Sequence, residues 1–205
     1  MARLVELVIG GSAEPWKNIG LTVDDNRVRI ADVDIVCEPM APGLHSWRFA
    51  ADRDAHFSLD GIPTTLVSST PAASFASRMC GRTVVALDHV VINTDDLERT
   101  CAVIERELSA PLRRIRDAGR GMRQGFHRLD NTVIEVVSTP NMNVDGATLW
   151  GFVPVVDDLE AIAAHLGPDV LSAPKPAVQE GRSIATVRAA VGLGVPLAVM
   201  TPHVG

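Results

Sequence analysis

Two side chains stand out for the chemistry they could do together. His89 lies in Leu87-Asp88-His89-Val90-Val91-Ile92, and Glu135 lies in Val133-Ile134-Glu135-Val136-Val137. Both segments are short and β-branched and read as strands. Alternation puts Leu87, His89 and Val91 on one face, with Val90 and Ile92 on the other. Val133, Glu135 and Val137 likewise share a face. A carboxylate among valines must find a cation or a hydrogen-bond donor if it is buried. An imidazole and a carboxylate that converge suit a divalent metal (Zn, Ni, Fe or Mn), a proton-transfer pair, or the polar anchor of a pocket. Each residue also has a structural reading. His89 is then a buried histidine bonded to a neighbour, Glu135 included, and Glu135 a carboxylate satisfied by Arg123, Arg128 or Arg188.

The elements that position these residues are legible around them. After the His89 strand, Asn93-Thr94-Asp95 supplies helix N-cap chemistry. From Asp96 to about Ser109, Leu97, Cys101, Ile104 and Leu108 recur at helical spacing, and Pro111 closes the helix. Three strands follow, over Leu112 to Arg116, Met122 to Leu129 and Thr132 to Ser138. Asp130-Asn131 reads as a two-residue hairpin turn. That turn sets Glu135 opposite Phe126 and brings Gln124 to the same side, with His127 pointing away.

The same order returns. Leu149 to Val156 reads as a strand, and Asp157-Asp158-Leu159-Glu160 opens a helix that Gly167-Pro168 ends. Strands follow near Val170 to Ser172, Ser183 to Ala189 and Pro196 to Thr201. The tetrapeptide DDLE occurs at 95–98 and at 157–160, an internal repeat with a period of about 62 residues. Residues 1–70 read as a shortened N-terminal unit of the same kind. Its strands are Glu6 to Ile9, Leu21 to Val23, Arg27 to Ile30, Val33 to Cys37 and Leu44 to Ala50, with a short helix capped by Ser12. The segment SSTPAASFASRMCGR is rich in small residues and places a linker at 71–83.

Composition narrows the function. Hydrophobic residues are 46% and charged residues 21%, so a packed core is expected throughout. The net charge is −6 with no basic run, which argues against nucleic acid. Arg113, Arg114 and Arg116 lie close together, but Asp117 follows, and they read as a solvated strand face. Cys37, Cys80 and Cys101 form no CxxC pair, so no disulfide framework or cysteine zinc site is suggested. No signal peptide or membrane span is apparent, and a reducing cytoplasm fits best. His45, His56, His165 and His203 have no partner spacing. Gly119-Arg120-Gly121 and Gly192-Leu193-Gly194 match no phosphate loop.

LDHVVINTDDLE, a helix, and a closing strand NTVIEVVSTP resemble a half-module of the vicinal-oxygen-chelate (glyoxalase/bleomycin-resistance/dioxygenase) superfamily. The resemblance implies an α+β fold of paired βαβββ modules, with cupped mixed sheets and helices outside. It places a glyoxalase-like domain at 84–205, with modules at 84–140 and 149–202. In metal-dependent members, His from the first strand and Glu from the last supply ligands in each module. His89 and Glu135 match those positions as metal ligands and as catalytic residues. The second copy departs from the pattern, with Gly151 and Ala198 in their places. Aligning the N-terminal unit the same way offers Glu6 and Asp34 instead.

The expected function is a glyoxalase-like protein that binds a small organic molecule between modules, with an incomplete metal site. Gln124, Phe126, Trp150 and Arg188 are the expected ligand-binding residues. The alternatives are a metal-dependent lyase, isomerase or dioxygenase acting on vicinal oxygens, and a metal-free acid–base enzyme using His89 and Glu135. An unpaired third module predicts a homodimer.

Overall fold

The computed structural model describes residues 2–69 and 76–203. In chain order the elements are β1 (Arg3–Gly10), α1 (Glu14–Asn18), β2 (Val23–Asp24), β3 (Arg27–Ile30) and β4 (Val33–Glu38). Three strands without a helix follow: β5 (Gly43–Ala50), β6 (Ala55–Leu59) and β7 (Ile62–Val67). Next come β8 (Arg78–Met79), β9 (Arg82–Thr94), α2 (Leu97–Leu108), β10 (Leu112–Gly119), β11 (Met122–Arg128) and β12 (Val133–Ser138). The chain closes with β13 (Ala147–Val156), α3 (Leu159–Leu166), β14 (Lys175–Pro176), β15 (Ser183–Thr186) and β16 (Ala198–Met200). The fold is α+β, as expected, with βαβββ order at residues 3–38, 82–138 and 147–200.

The second aspartate of each DDLE starts a helix. Asp96 accepts a hydrogen bond from the Arg99 amide at 2.9 Å, and Asp158 accepts one from the Ala161 amide at 3.0 Å. The cap therefore sits one residue beyond the expected Asn93-Thr94-Asp95. Asp95 instead bonds Arg99, which draws its carboxyl below the usual range. Ser12 does not cap α1; Ala13 holds that position with no side-chain bond.

Residues 3–67 carry seven strands, more than one shortened unit would. The extra pair, β6 and β7, turns at Asp60-Gly61, with φ of 49° and 103°. Part of the expected linker lies outside the described residues. Its second half is not a linker, because Arg78–Met79 pairs with Arg82–Thr83 across a Cys80-Gly81 turn.

The chain divides into two units. The first comprises Met1–Leu7, Leu44–Pro71 and His89–Gly151; the second comprises Val8–Gly43, Ala72–Asp88 and Phe152–Gly205. In the second unit, β2, β3 and β4 form an antiparallel run, as do β14, β15 and β16, and β16 lies parallel to β13. Trp16 stacks on Phe152 there, with ring centroids 6.0 Å apart. Of the expected Val170 to Ser172 strand, only Leu171 pairs, in an isolated bridge to Val187.

In the first unit, β5, β7 and β6 form one run, and the strand order β10-β11-β12-β9 forms another. The last pair is parallel, so this sheet is mixed. Helix α2 buries Leu97, Cys101, Ile104 and Leu108 and turns Glu98 and Glu105 outward. It covers the sheet face that carries Val90, Ile92, Ile134 and Val136, all buried. A turn at residues 129–132 joins β11 to β12, where the Leu129 amide donates to the Thr132 carbonyl at 2.9 Å. The Asn131 side chain then pairs with both backbone groups of Leu4 on β1, at 3.1 and 2.8 Å.

Helix α2 packs closely on β11 at Gly125. A Cβ at Gly125 would meet Cys101 Sγ at 2.7 Å and Leu97 Cδ1 at 3.5 Å. Burial chiefly, with Glu98 and Glu105 adding to it, pushes the Cys101 thiol up to about 12, so it packs as a neutral apolar group. Gly125→Ala is expected to destabilise the fold by about 1–3 kcal/mol, the usual cost of overpacking. Cys101→Ala in that background should recover part of the loss. Denaturant midpoints of the two single variants and the double variant check this, and strict additivity would refute the contact.

Candidate active site

The register of β9, β11 and β12 decides which side chains meet. Phe126 pairs with Glu135, Gln124 with Val137, and Val133 with His89. Paired residues in adjacent strands project to the same side. His89, Gln124, Phe126 and Glu135 therefore share the sheet face that α2 does not cover, with Val91, Val133 and Val137 between them.

On that face His89 Nε2 lies 3.4 Å from Glu135 Oε2. Both side chains are largely shielded, at 14% and 13% exposure. Gln124 Nε2 donates to Glu135 Oε1 at 2.5 Å. The carboxylate thus has one oxygen toward an imidazole and the other held by an amide. Gln124 Oε1 is buried and accepts no hydrogen bond among the described residues, which leaves an acceptor available beside the pair. Arg114 packs over the Phe126 ring, with Cζ 5.0 Å from its centroid.

Among the described residues, none of the arginines considered as Glu135 partners forms an ion pair with it. Arg123 pairs with Glu98 at 2.7 Å, and Arg188 Nε donates to the Pro168 carbonyl at 3.1 Å in the second unit. Arg128 is exposed at the end of β11. Trp150 belongs to the first unit and is 49% exposed. A separate open cleft of about 430 Å³ in that unit, lined in part by Arg3, Asp52, Arg53, Arg106 and Glu107, contains none of these residues.

No protein-family model and no curated protein matches the sequence. Solved structures do match the fold. A triple mutant of 4-hydroxymandelate synthase from Streptomyces coelicolor covers 99% of this chain and 93% of its own, with TM-score 0.72 and 13% identity. The chain has the vicinal-oxygen-chelate fold. Methylmalonyl-CoA epimerase from Mycobacterium tuberculosis covers 59% of this chain and 90% of its own, at TM-score 0.49 and 18% identity. The Streptomyces coelicolor epimerase in complex with 2-nitronate-propionyl-CoA covers 60% and 100%, at TM-score 0.49 and 14% identity.

The metal that this fold implies wants about three protein ligands. Among the described residues, no group of three or more His, Cys, Asp or Glu side chains is placed to hold one. Glu6 faces Arg48 at 3.3 Å, and Asp34 faces Arg29 at 2.6 Å, so both carboxylates already have cations. Gly151 and Ala198 carry no donor side chain. Among the described residues, the donor set of a vicinal-oxygen-chelate metal centre is not met.

His127, the other candidate on β11, lies under the helix face with no exposed surface. Its Nδ1 pairs with the Ala110 carbonyl at 2.9 Å, and its Nε2 has no partner among the described residues. Burial holds its pKa below the ordinary 6.5, against the opposing pull of the Ala110 bond and Glu105. Unfolded, the ring takes up a proton near pH 6.5; folded, it does so only at lower pH. The unfolded state then binds more protons in that window, so stability falls as pH drops below about 6.5. One such group contributes at most about 1.4 kcal/mol per pH unit. Denaturant unfolding between pH 7.5 and 5 should show a shallower slope in His127→Leu than in wild type. Equal slopes would refute a neutral buried His127.

Proposed function

We propose that this chain binds a small organic molecule on the open face of the 82–138 module, with His89, Glu135 and Gln124 as its polar anchor. The observation that carries this reading is the shielded His89–Glu135 contact with Gln124 on the second carboxylate oxygen. Val91, Val133, Val137 and Phe126 supply an apolar floor around it, the composition of a ligand pocket.

The chemistry follows from the pair. Glu135 orients the imidazole through Nε2. A ligand oxygen that reaches this corner meets an imidazole edge, a carboxylate edge and the free amide oxygen of Gln124. That arrangement can hold or move one proton without a metal. The reading agrees with the fold's use in enzymes that act on small molecules, of which 4-hydroxymandelate synthase is one by its name.

Native mass spectrometry and elemental analysis of the purified protein test this directly. The expected result is a sub-stoichiometric divalent metal content that does not change in His89→Ala. Small oxygen-bearing ligands found by thermal-shift screening should bind about tenfold or more weakly to Glu135→Gln, consistent with loss of about 1.5–3 kcal/mol from a charged hydrogen bond. Stoichiometric Zn, Ni, Fe or Mn that disappears in His89→Ala would overturn the metal-free anchor.

A further inference from the structure

The charge on this face is not the charge that the sequence order suggests. Arg114 pairs with Phe126, and Arg116 pairs with Gln124. Arg128 pairs with Val133, which in turn pairs with His89. All three arginines therefore project to the side that carries His89, Glu135 and Gln124. Asp117, which follows them in sequence, alternates to the opposite side and accepts from the Gly119 amide at 2.7 Å.

Other arginines of this unit have acidic partners: Arg99 with Asp60, Arg123 with Glu98, Arg48 with Glu6. Arg114, Arg116 and Arg128 have no carboxylate partner among the described residues. The side chain of Arg114 is nonetheless ordered by its packing over Phe126. Three guanidinium groups share a face on which Glu135 is the acidic side chain of the paired strands. Uncompensated arginines beside a half-buried polar anchor are what recognition of a carboxylate or phosphate requires.

We propose that the ligand of this face is an organic anion, its carboxylate or phosphate held by Arg114, Arg116 and Arg128 while a second polar group reaches His89 and Glu135. This rests on the anchor reading above. Arg114 and Arg116 on β10 lie two strand spacings, about 10 Å, from Glu135 on β12, and Arg128 on β11 lies one, so the ligand's charge and its second polar group are about 5–10 Å apart. Phe126 lies between the two ends, at the register position where an aromatic or apolar body would rest.

Ligand-observed NMR on the full chain tests this with matched probes. Benzoate and phenyl phosphate are the anions; benzamide and benzyl alcohol are their neutral counterparts. The expected result is that an anion binds at least tenfold more tightly than its neutral counterpart. That preference should vanish in the triple variant Arg114→Gln/Arg116→Gln/Arg128→Gln, weaken in each of its single variants, and persist in Arg120→Gln, which removes one charge at the β10–β11 turn. A stronger response to benzoate assigns a carboxylate, and a stronger response to phenyl phosphate assigns a phosphate ester. Circular dichroism melts confirm that the exposed substitutions leave the fold intact. Equal binding of anions and neutral probes, no anion binding, or a preference that survives the triple variant would each overturn the proposal. For the anchor the probe is 4-(hydroxymethyl)benzoate, whose hydroxyl lies across the ring from its carboxylate: weaker binding to Glu135→Gln supports the anchor, whereas unchanged binding with the anion preference intact would keep the anion site and remove the anchor reading.

Discussion

Strand alternation drives a carboxylate into a row of valines, and that is the constraint on which the site depends. Glu135 cannot face α2, because Ile134 and Val136 take that side. It lands on the open face, shielded enough that water alone does not satisfy it. His89 and Gln124 reach it from the two neighbouring strands, one on each oxygen. The parallel register of β12 on β9 and the antiparallel register of β12 on β11 are both needed for this. A one-residue slip in either would turn one partner toward the helix. The turn at 129–132 and the Asn131 clamp on Leu4 hold the second register, so residues far from the site set its geometry.

Much of this module was legible because its signals are local. Helical spacing from Leu97 to Leu108 and the Asp130-Asn131 turn each act within a few residues. Once the turn is placed, the opposition of Phe126 and Glu135 follows by counting. The N-terminal region was harder. Its strands β6 and β7 are joined by Asp60-Gly61, a hairpin signal that does stand in the sequence between two alternating runs. What could not be read is the cation that Glu6 meets: Arg48, remote in sequence, claims it, whereas Arg29 faces Asp34 by the same counting across the Ala31-Asp32 turn. The arginines of β10 read as a solvated strand face, and Arg113 and Arg114 are exposed. Asp117 is their neighbour along the chain, and strand geometry sends it to the other side.

The repeat also shows how one architecture can handle polar burial in different ways. The 82–138 copy places its polar cluster on the open face of its sheet. In the second unit Arg182 is buried, its side chain 1% exposed, and it pairs with Asp88 at 2.6 Å. Its Nε donates to the Thr201 carbonyl at 2.8 Å, which ties the end of the chain to that unit. Both partners of that pair are satisfied, so its role is structural specificity more than reactivity. Gly151 and Ala198, at the positions that match His89 and Glu135, add no polar group.

The two halves of the open face make different demands on a ligand. Near β12 the Glu135 carboxylate would repel an anion, and His89 and Gln124 offset that charge only in part. Near β10 the arginines are exposed or half-buried, so an anion there keeps some solvent and loses little hydration on binding. In the proposed complex the charge of the ligand is therefore steered away from the shielded corner and toward the rim. That leaves the corner for a group that can exchange a hydrogen bond or a proton with the imidazole, and the separation between strands keeps these tasks apart. The overall charge of −6 does not oppose this, because the field at a binding face is set by the groups that line it.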